Sequence, residues 1–265
     1  TYRAMQGDEV FLSAEEVLPW LEKLRIDDTE LAGARDWLLK WDRRFAEDSP
    51  QAALYGTFWK SLTARVFQAR LGEAAKSDAG DKEMWAISLL LRRPGDKWWD
   101  DLATKDRVET RDDALLESFR EGYRSTVSAL GKGRDRWRWG ELHRATFVST
   151  PLGASQIGLL ERIVNRGPVP VGGSGECVNS NAWDASTGDF SVDSIPSMRM
   201  IVDMGDFGAN LSVNSTGQSG HPKSPFYDDM IDSWRKMEYR PMLWSRESVE
   251  KAARHTLFLT PQADR

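Results

Sequence analysis

Two serines stand among glycines, the setting in which a hydrolase nucleophile is first sought. Ser174 lies in Gly172-Gly173-Ser174-Gly175-Glu176, and Ser219 in Gly217-Gln218-Ser219-Gly220-His221. A nucleophile elbow needs glycine at two-residue spacing on both sides, so that a strained strand-to-helix turn can lift the hydroxyl. Both runs fail at the last position, where Glu176 and His221 stand, and His221 is too near Ser219 in sequence to be taken as its base. Thr1 could attack with its own amine as base. The residues after it, Tyr2-Arg3-Ala4-Met5-Gln6, lack the apolar alternation of a buried strand that would present such a group. Cys177 is the only cysteine, so an intrachain disulfide and a multi-cysteine zinc site are both excluded. In a Gly-rich stretch it reads as a small buried hydrophobe. The catalytic assignment from these residues is therefore none.

Metal and cofactor signals are equally sparse. His143, His221 and His255 are scattered, and the glycines at 172–175 are not followed by Lys-Ser/Thr, so they form no phosphate loop. Their use is to permit positive φ and close backbone approach. Asp112/Asp113 and Asp228/Asp229 could bind calcium or act as acid and base. Each pair also falls near an expected helix N-terminus, where carboxylates favour the dipole. No metal ligand and no cofactor-binding residue is assigned.

These groups must be held by a chain whose signals change near residue 135, and the fold class expected is α+β. Before that point the patterns are helical. Ser13 with Glu16 resembles a capping box opening a helix to about Leu24, with Pro19 expected to kink it or delay its start. Residues 29–41 carry leucines at helical spacing. Ser49-Pro50 supplies a cap and a first residue for a long helix to about Leu71, and further helices are expected at 82–92 and 111–130. Beyond 135, strands are expected at 143–149, 176–182, 198–203, 210–213 and 256–259. Residues 166–175 read as a loop, and short helices are expected at 153–164, after Ser224-Pro225 and after Ser245. The divisions are thus 1–135, mainly helical, and 136–265, mixed strand and helix, expected to form one packed unit.

The net charge of −5 argues against a nucleic-acid partner, because there is no basic surplus to neutralise phosphates. Lys132, Arg134, Arg136 and Arg138 do cluster around Trp137 and Trp139, but Asp135 and Glu141 dilute them, so the cluster reads as a solvated turn anchored by indoles. No apolar run of ~20 residues is present to cross a membrane, and no signal peptide stands at Thr1. The twelve tryptophans imply a core built around bulky rings, or a pocket for an acyl or aromatic group.

From about residue 137 onward the chain resembles the penicillin acylase (penicillin amidase) family. The motifs that carry the resemblance are Trp139-Gly140-Glu141-Leu142-His143-Arg144 and Asn165-Arg166-Gly167-Pro168-Val169-Pro170-Val171-Gly172-Gly173. They continue through Val178-Asn179, Pro196-Ser197-Met198-Arg199-Met200-Ile201-Val202-Asp203 and Thr216-Gly217-Gln218-Ser219-Gly220-His221-Pro222. Ser224-Pro225 with Tyr227-Asp228-Asp229, Glu238-Tyr239-Arg240-Pro241-Met242 and Phe258-Leu259-Thr260-Pro261 complete the series. Trp41-Asp42, Asp48-Ser49 and Ala52-Ala53-Leu54-Tyr55 extend it more loosely into the helical half.

The resemblance implies the C-terminal part of the large subunit of an N-terminal-nucleophile hydrolase with an αββα core, of which this chain is a portion. Such enzymes hydrolyse the amide between an acyl group and an amine, in β-lactams or other N-acyl amides. The family's catalytic Ser, oxyanion Asn and calcium ligands lie upstream of the matched segment, so no residue here inherits those roles, and the chain by itself is expected to be inactive. His143, Arg166, Asn179, Arg199 and Gln218 match family motifs and read as structural groups in hydrogen-bonded turns. The implied partners are the rest of the large subunit, the small subunit and a small N-acyl amide; the implied compartment is periplasmic or extracellular. The competing readings are a non-catalytic binding module, a proteolytic remnant, and an enzyme with Thr1 as nucleophile.

Overall fold

The computed structural model describes residues 1–72, 81–184 and 189–260. It divides into two compact units, one running Arg3–Pro196 and the other Ser197–Arg265. The change from helical to strand signals near residue 135 falls inside the first. Helices and antiparallel strands both occur, as the α+β expectation requires.

In the first unit, α1 (Ser13–Glu22) contains Pro19 and buries Ala14, Val17, Leu18 and Leu21. The helix runs through the proline because its buried apolar face offsets the lost backbone bond. The expected capping box does not form. Leu12 occupies the cap position, and the first amides of the turn are satisfied by Ala14 N donating to Phe11 O and Glu15 N to Leu12 O. Helix α2 (Thr29–Leu38) is capped by Asp28, which accepts from the amides of Glu30 and Leu31. Helix α3 (Pro50–Thr63) starts as its sequence dictates, with Ser49 Oγ accepting from Ala52 N at 3.2 Å. It loosens into a π-turn over Ala64–Gln68 before its last residues, Ala69–Leu71.

Helices α4 (Asp81–Leu91) and α5 (Arg111–Leu130) follow, the latter opened by a reciprocal capping box between Thr110 and Asp113. Helices α3 and α5 pack backbone to backbone at Gly122, where a Cβ would stand 2.5 Å from Phe58 Cα. The Thr57 and Thr126 hydroxyls meet at 2.7 Å across the same seam.

Strand β1 (Arg144–Phe147) is antiparallel to β2 (Arg166–Pro170), with a bulge between Ala145 and Phe147, and α6 (Gly158–Val164) connects them. Strand β2 corrects the loop expected at 166–175. Pro168 and Pro170 cannot donate to a ladder, so they discourage a strand reading, yet an edge position tolerates them. The strand expected at 176–182 is replaced by turns, ending in an isolated bridge of Ala182 to Ser194. Asn179 and Asn181, both buried, hold the backbone there in place of a ladder.

In the second unit, β3 (Met198–Ile201), β4 (Leu211–Asn214) and β5 (Arg240–Pro241) form an antiparallel sheet in that order. Residues 224–230 turn rather than form a helix, because Ser224 Oγ accepts from Phe226 N two residues on; α7 (Ile231–Arg235) begins only afterwards. Helix α8 (Arg246–Ala252) is capped by Ser245, as expected. The strand expected at 256–259 is absent, and Leu257, Phe258 and Leu259 are exposed with no described strand beside them. Pro261 of the last motif lies outside the described residues. No helix among the described residues is long and apolar enough to cross a membrane.

Candidate functional site

The Gly-rich run folds against an aromatic cluster whose centre is Trp139. Its indole is fully buried and donates through Nε1 to Gly173 O at 3.0 Å. It stacks on the His143 ring (centroids 4.7 Å apart) and meets Phe45 and Phe190 edge-on. Phe45 in turn meets Phe11 and Tyr55 edge-on. The aromatic excess thus builds a core here, consistent with the first of its two readings.

The Gly172–Asn181 turn is clamped from several elements. Gly173 N donates to Phe45 O at 2.7 Å and Asn179 N to Asp8 O at 2.8 Å. Asn181 Nδ2 donates to Gly172 O at 2.7 Å, and Asn179 Nδ2 to Glu9 Oε1 at 3.1 Å. Burial pushes the Glu9 carboxyl above the usual carboxylate range, against the lowering effect of the Asn179 bond. Gly172 leaves room for Glu9, since a Cβ there would lie 2.2 Å from Glu9 Oε1. Glu9 and Asn181 were not legible as members of this cluster. Glu9 sits in no motif, and only the neighbouring Val178-Asn179 pair could have pointed to Asn181.

His143 is sealed between two carbonyls, with Nδ1 at 2.9 Å from Phe190 O and Nε2 at 3.1 Å from Asn181 O. A neutral ring carries one N–H and can satisfy one of them. Protonation would satisfy both, but burial opposes the charge and prevails, pushing the pKa down from 6.5 to about 4. Because the folded value lies below the unfolded one, the unfolded chain takes up the proton first as pH falls. The stability that His143 confers is thus complete above pH 6.5 and is lost as pH drops towards 4, by roughly 3 kcal/mol at the limit. Glu83 slopes the other way. Burial, then Asp184 and Glu176, push its carboxyl up to about 7, so its contribution is present below 4.5 and lost as pH rises through 7. Urea midpoints of the parent and His143→Gln between pH 7 and 4.5 separate the two groups. The gap between the proteins should narrow towards pH 4.5; a gap independent of pH would refute the assignment.

The nucleophile candidates are placed as follows. Cys177 is buried, its thiol reaches Glu9 O at 3.2 Å, and burial pushes its pKa up to about 12, far from a reactive thiolate. Ser174 is buried and its hydroxyl donates to Glu176 Oε2 at 2.9 Å. Ser219 Oγ accepts from His221 N, and His221 Nδ1 accepts from Lys223 N, so that ring is turned to the backbone. Thr1 is exposed at the start of a short helix. Of the acidic pairs, Asp112 bonds Arg111, Asp113 forms the capping box, and Asp229 bonds Arg240 at 2.7 Å. No group of three or more potential ligands that could hold a metal occurs among the described residues.

The basic cluster is a turn. Arg138 donates to Asp135 O and Trp137 O, Arg134 donates to Glu30 O, and the buried Trp137 indole donates to Gly131 O. In the second unit, Arg199 is buried, donates to Trp234 O at 2.8 Å and lies over that indole. Gln218 lines a cavity of about 230 Å³ with Asn214, Asp229 and Arg240. Arg166 donates to Ile163 O and Asn165 O.

A penicillin amidase family model matches residues 1–251. The chain is 32% identical over 232 residues to an acyl-homoserine lactone acylase of Pseudomonas syringae pv. syringae, covering 84% of this chain and 28% of the relative. It is 31% identical over 245 residues to an acyl-homoserine lactone acylase of Pseudomonas aeruginosa, covering 86% and 29%. A penicillin acylase 2 proenzyme of a Pseudomonas species is 29% identical over 229 residues, covering 86% and 28%. The chain therefore spans less than a third of the length of these relatives. Among solved structures, a thermostable penicillin G acylase from Alcaligenes faecalis superposes with a TM-score of 0.50 at 15% identity, over 97% of this chain and 48% of that one. That likeness is one of fold.

Proposed function

The chain belongs to the penicillin amidase family, and from that premise we propose that the protein carrying it hydrolyses the linear amide between an acyl group and an amine. N-acyl-homoserine lactones are the first substrates to test and β-lactam acyl amides the second, following the activities named for its relatives. The observation that carries the reading is the family match along nearly the whole chain. In this reading the nucleophile lies outside these 265 residues, and the segment holds the sheets and helices behind the reaction centre. The burial of Ser174 and Cys177 supports that division. The apolar residues Met198, Met200, Val202 and Met204 are exposed along one side of β3 and its continuation, a surface suited to the remainder of such an enzyme. The family reading also puts calcium ligands, where present, outside this segment, and the working compartment outside the cytoplasm.

The test uses the full-length protein that contains this segment. Its mass spectrum should show two chains, the larger beginning with Ser, and it should release free amine from an N-acyl-homoserine lactone. Replacing that Ser by Ala should cost about 10³-fold or more, while Ser174→Ala, Ser219→Ala and Cys177→Ala each stay within about tenfold of the parent. Loss of turnover on removing any of the latter three with the fold intact would move the nucleophile into this segment. Correct cleavage with no hydrolysis of either amide class would end the substrate proposal.

A further inference from the structure

Between β4, β5 and the loop that follows β4, the second unit holds a cavity of about 230 Å³. That is below the ~300–1,000 Å³ that drug-sized ligands occupy, so one small ring is the most it takes. Strand β4 fixes part of its wall. Ser212 and Asn214 stand two residues apart and share one face of the strand, while Val213 between them is buried on the other. Arg240 pairs with Ser212 in register, so it joins the same face from β5. The rest of the wall is loop, and hydrogen bonds across the loop pin it. Met230 N donates to Thr216 O at 2.8 Å and Ser219 N to Phe226 O at 3.0 Å. These bonds hold the backbone of Gln218 and of the half-exposed Phe226 at the cavity before any ligand arrives, which lowers the ordering cost of binding.

The charges at the cavity cancel. Arg240 Nη1 donates to Asp229 Oδ2 at 2.7 Å and Nη2 to Asp229 O at 2.6 Å. No other charged residue lines the wall among the described residues, so neither an anion nor a cation finds an unpaired opposite charge. What remains is neutral hydrogen-bonding capacity. The side chains of Ser212, Asn214 and Gln218 make no hydrogen bond among the described residues, and a hydroxyl and two amides can each donate and accept. Beside them Phe226 brings an aromatic ring, whose negative face attracts C–H groups.

We propose that this cavity binds one neutral pyranose sugar ring. The hydroxyls of such a ring both donate and accept, and one of its faces is made of C–H groups. Its hydroxyl edge meets Ser212, Asn214 and Gln218, and its C–H face lies on Phe226. A free amine or a carboxylate would bring a charge with no counter-ion to a wall whose own pair is already matched. The proposal does not rest on the acylase reading, since no step of amide hydrolysis is asked of these residues.

The experiment is a titration of the full-length protein with the methyl α-glycosides of glucose, galactose and mannose, read by saturation transfer from protein to sugar C–H protons in NMR. For at least one of them a saturable signal is expected in the millimolar range, as suits so small a ligand. Phe226→Ala and Gln218→Leu, both at exposed positions, should each weaken it about fivefold or more. Methylammonium and acetate at the same concentration should not displace the sugar. No saturation by any of the three glycosides up to about 50 mM overturns the proposal. So does binding that either variant leaves unchanged, which would belong to another site, and so does displacement by either ion, which would mean that the cavity selects charge.

Discussion

Trp139→Ala is expected to cost about 4 kcal/mol of folding stability, the scale of a large aromatic truncated in a core that cannot collapse around the gap. The gap cannot close because every neighbour is anchored elsewhere. Gly56 lies so close beneath the ring that a Cβ there would meet it at 2.6 Å, which fixes α3 against one face. His143 is pinned on the other by its two carbonyl contacts. Phe45 and Phe190 close the edges. Beyond the cavity, the indole N–H is lost from Gly173 O, leaving that carbonyl buried without its donor. Trp139→Phe keeps most of the apolar bulk but not the donor, and should fall between the parent and alanine. Urea unfolding followed at a backbone signal gives the two differences. A loss below about 1 kcal/mol for alanine would mean that Trp139 is not the centre of this cluster.

How much of this was legible follows from what each signal encodes. Ser49-Pro50 and Ser245 announced helix starts because a capping side chain acts on amides two or three residues away, wholly within the local sequence. Strand β2 escaped because its prolines speak against a ladder, and only its edge position beside β1 makes them tolerable. The strand expected at 176–182 failed for the converse reason. Only Cys177-Val178 favours a strand there, and the bonds of Asn179 and Asn181 to Glu9 and Gly172 come from chain that local pattern cannot place. The motifs marked His143, Asn179, Arg199 and Gln218 as worth attention, and the structure places each in hydrogen-bonded or cavity-lining surroundings. Glu9 carried no signal, because its burial against the Gly172–Asn181 turn is a property of the folded chain alone.

Gly173→Ala tests the same junction from the backbone side, and is expected to cost as much as the tryptophan truncation although it adds a single methyl group. Two penalties combine. The residue holds φ at +85°, where any side chain is strained, at roughly 1–3 kcal/mol. The new Cβ would also lie 2.0 Å from Asn179 O, a backbone atom whose own amide is bonded to Asp8 O, so relief requires shifting a whole turn. Overpacking of this kind adds about 1–3 kcal/mol more. Gly175 is the internal control: a Cβ there meets nothing closer than Ala182 Cβ at 3.6 Å, so Gly175→Ala should be nearly neutral. The double variant with Trp139→Ala should cost less than the sum of the two single changes, since each disturbs the one bond between the indole and Gly173 O. Strict additivity would show that the turn and the indole are held independently. A Gly173→Ala protein as stable as Gly175→Ala would show that the turn does not need the left-handed backbone on which the fit of Glu9, Asn179 and His143 around it depends.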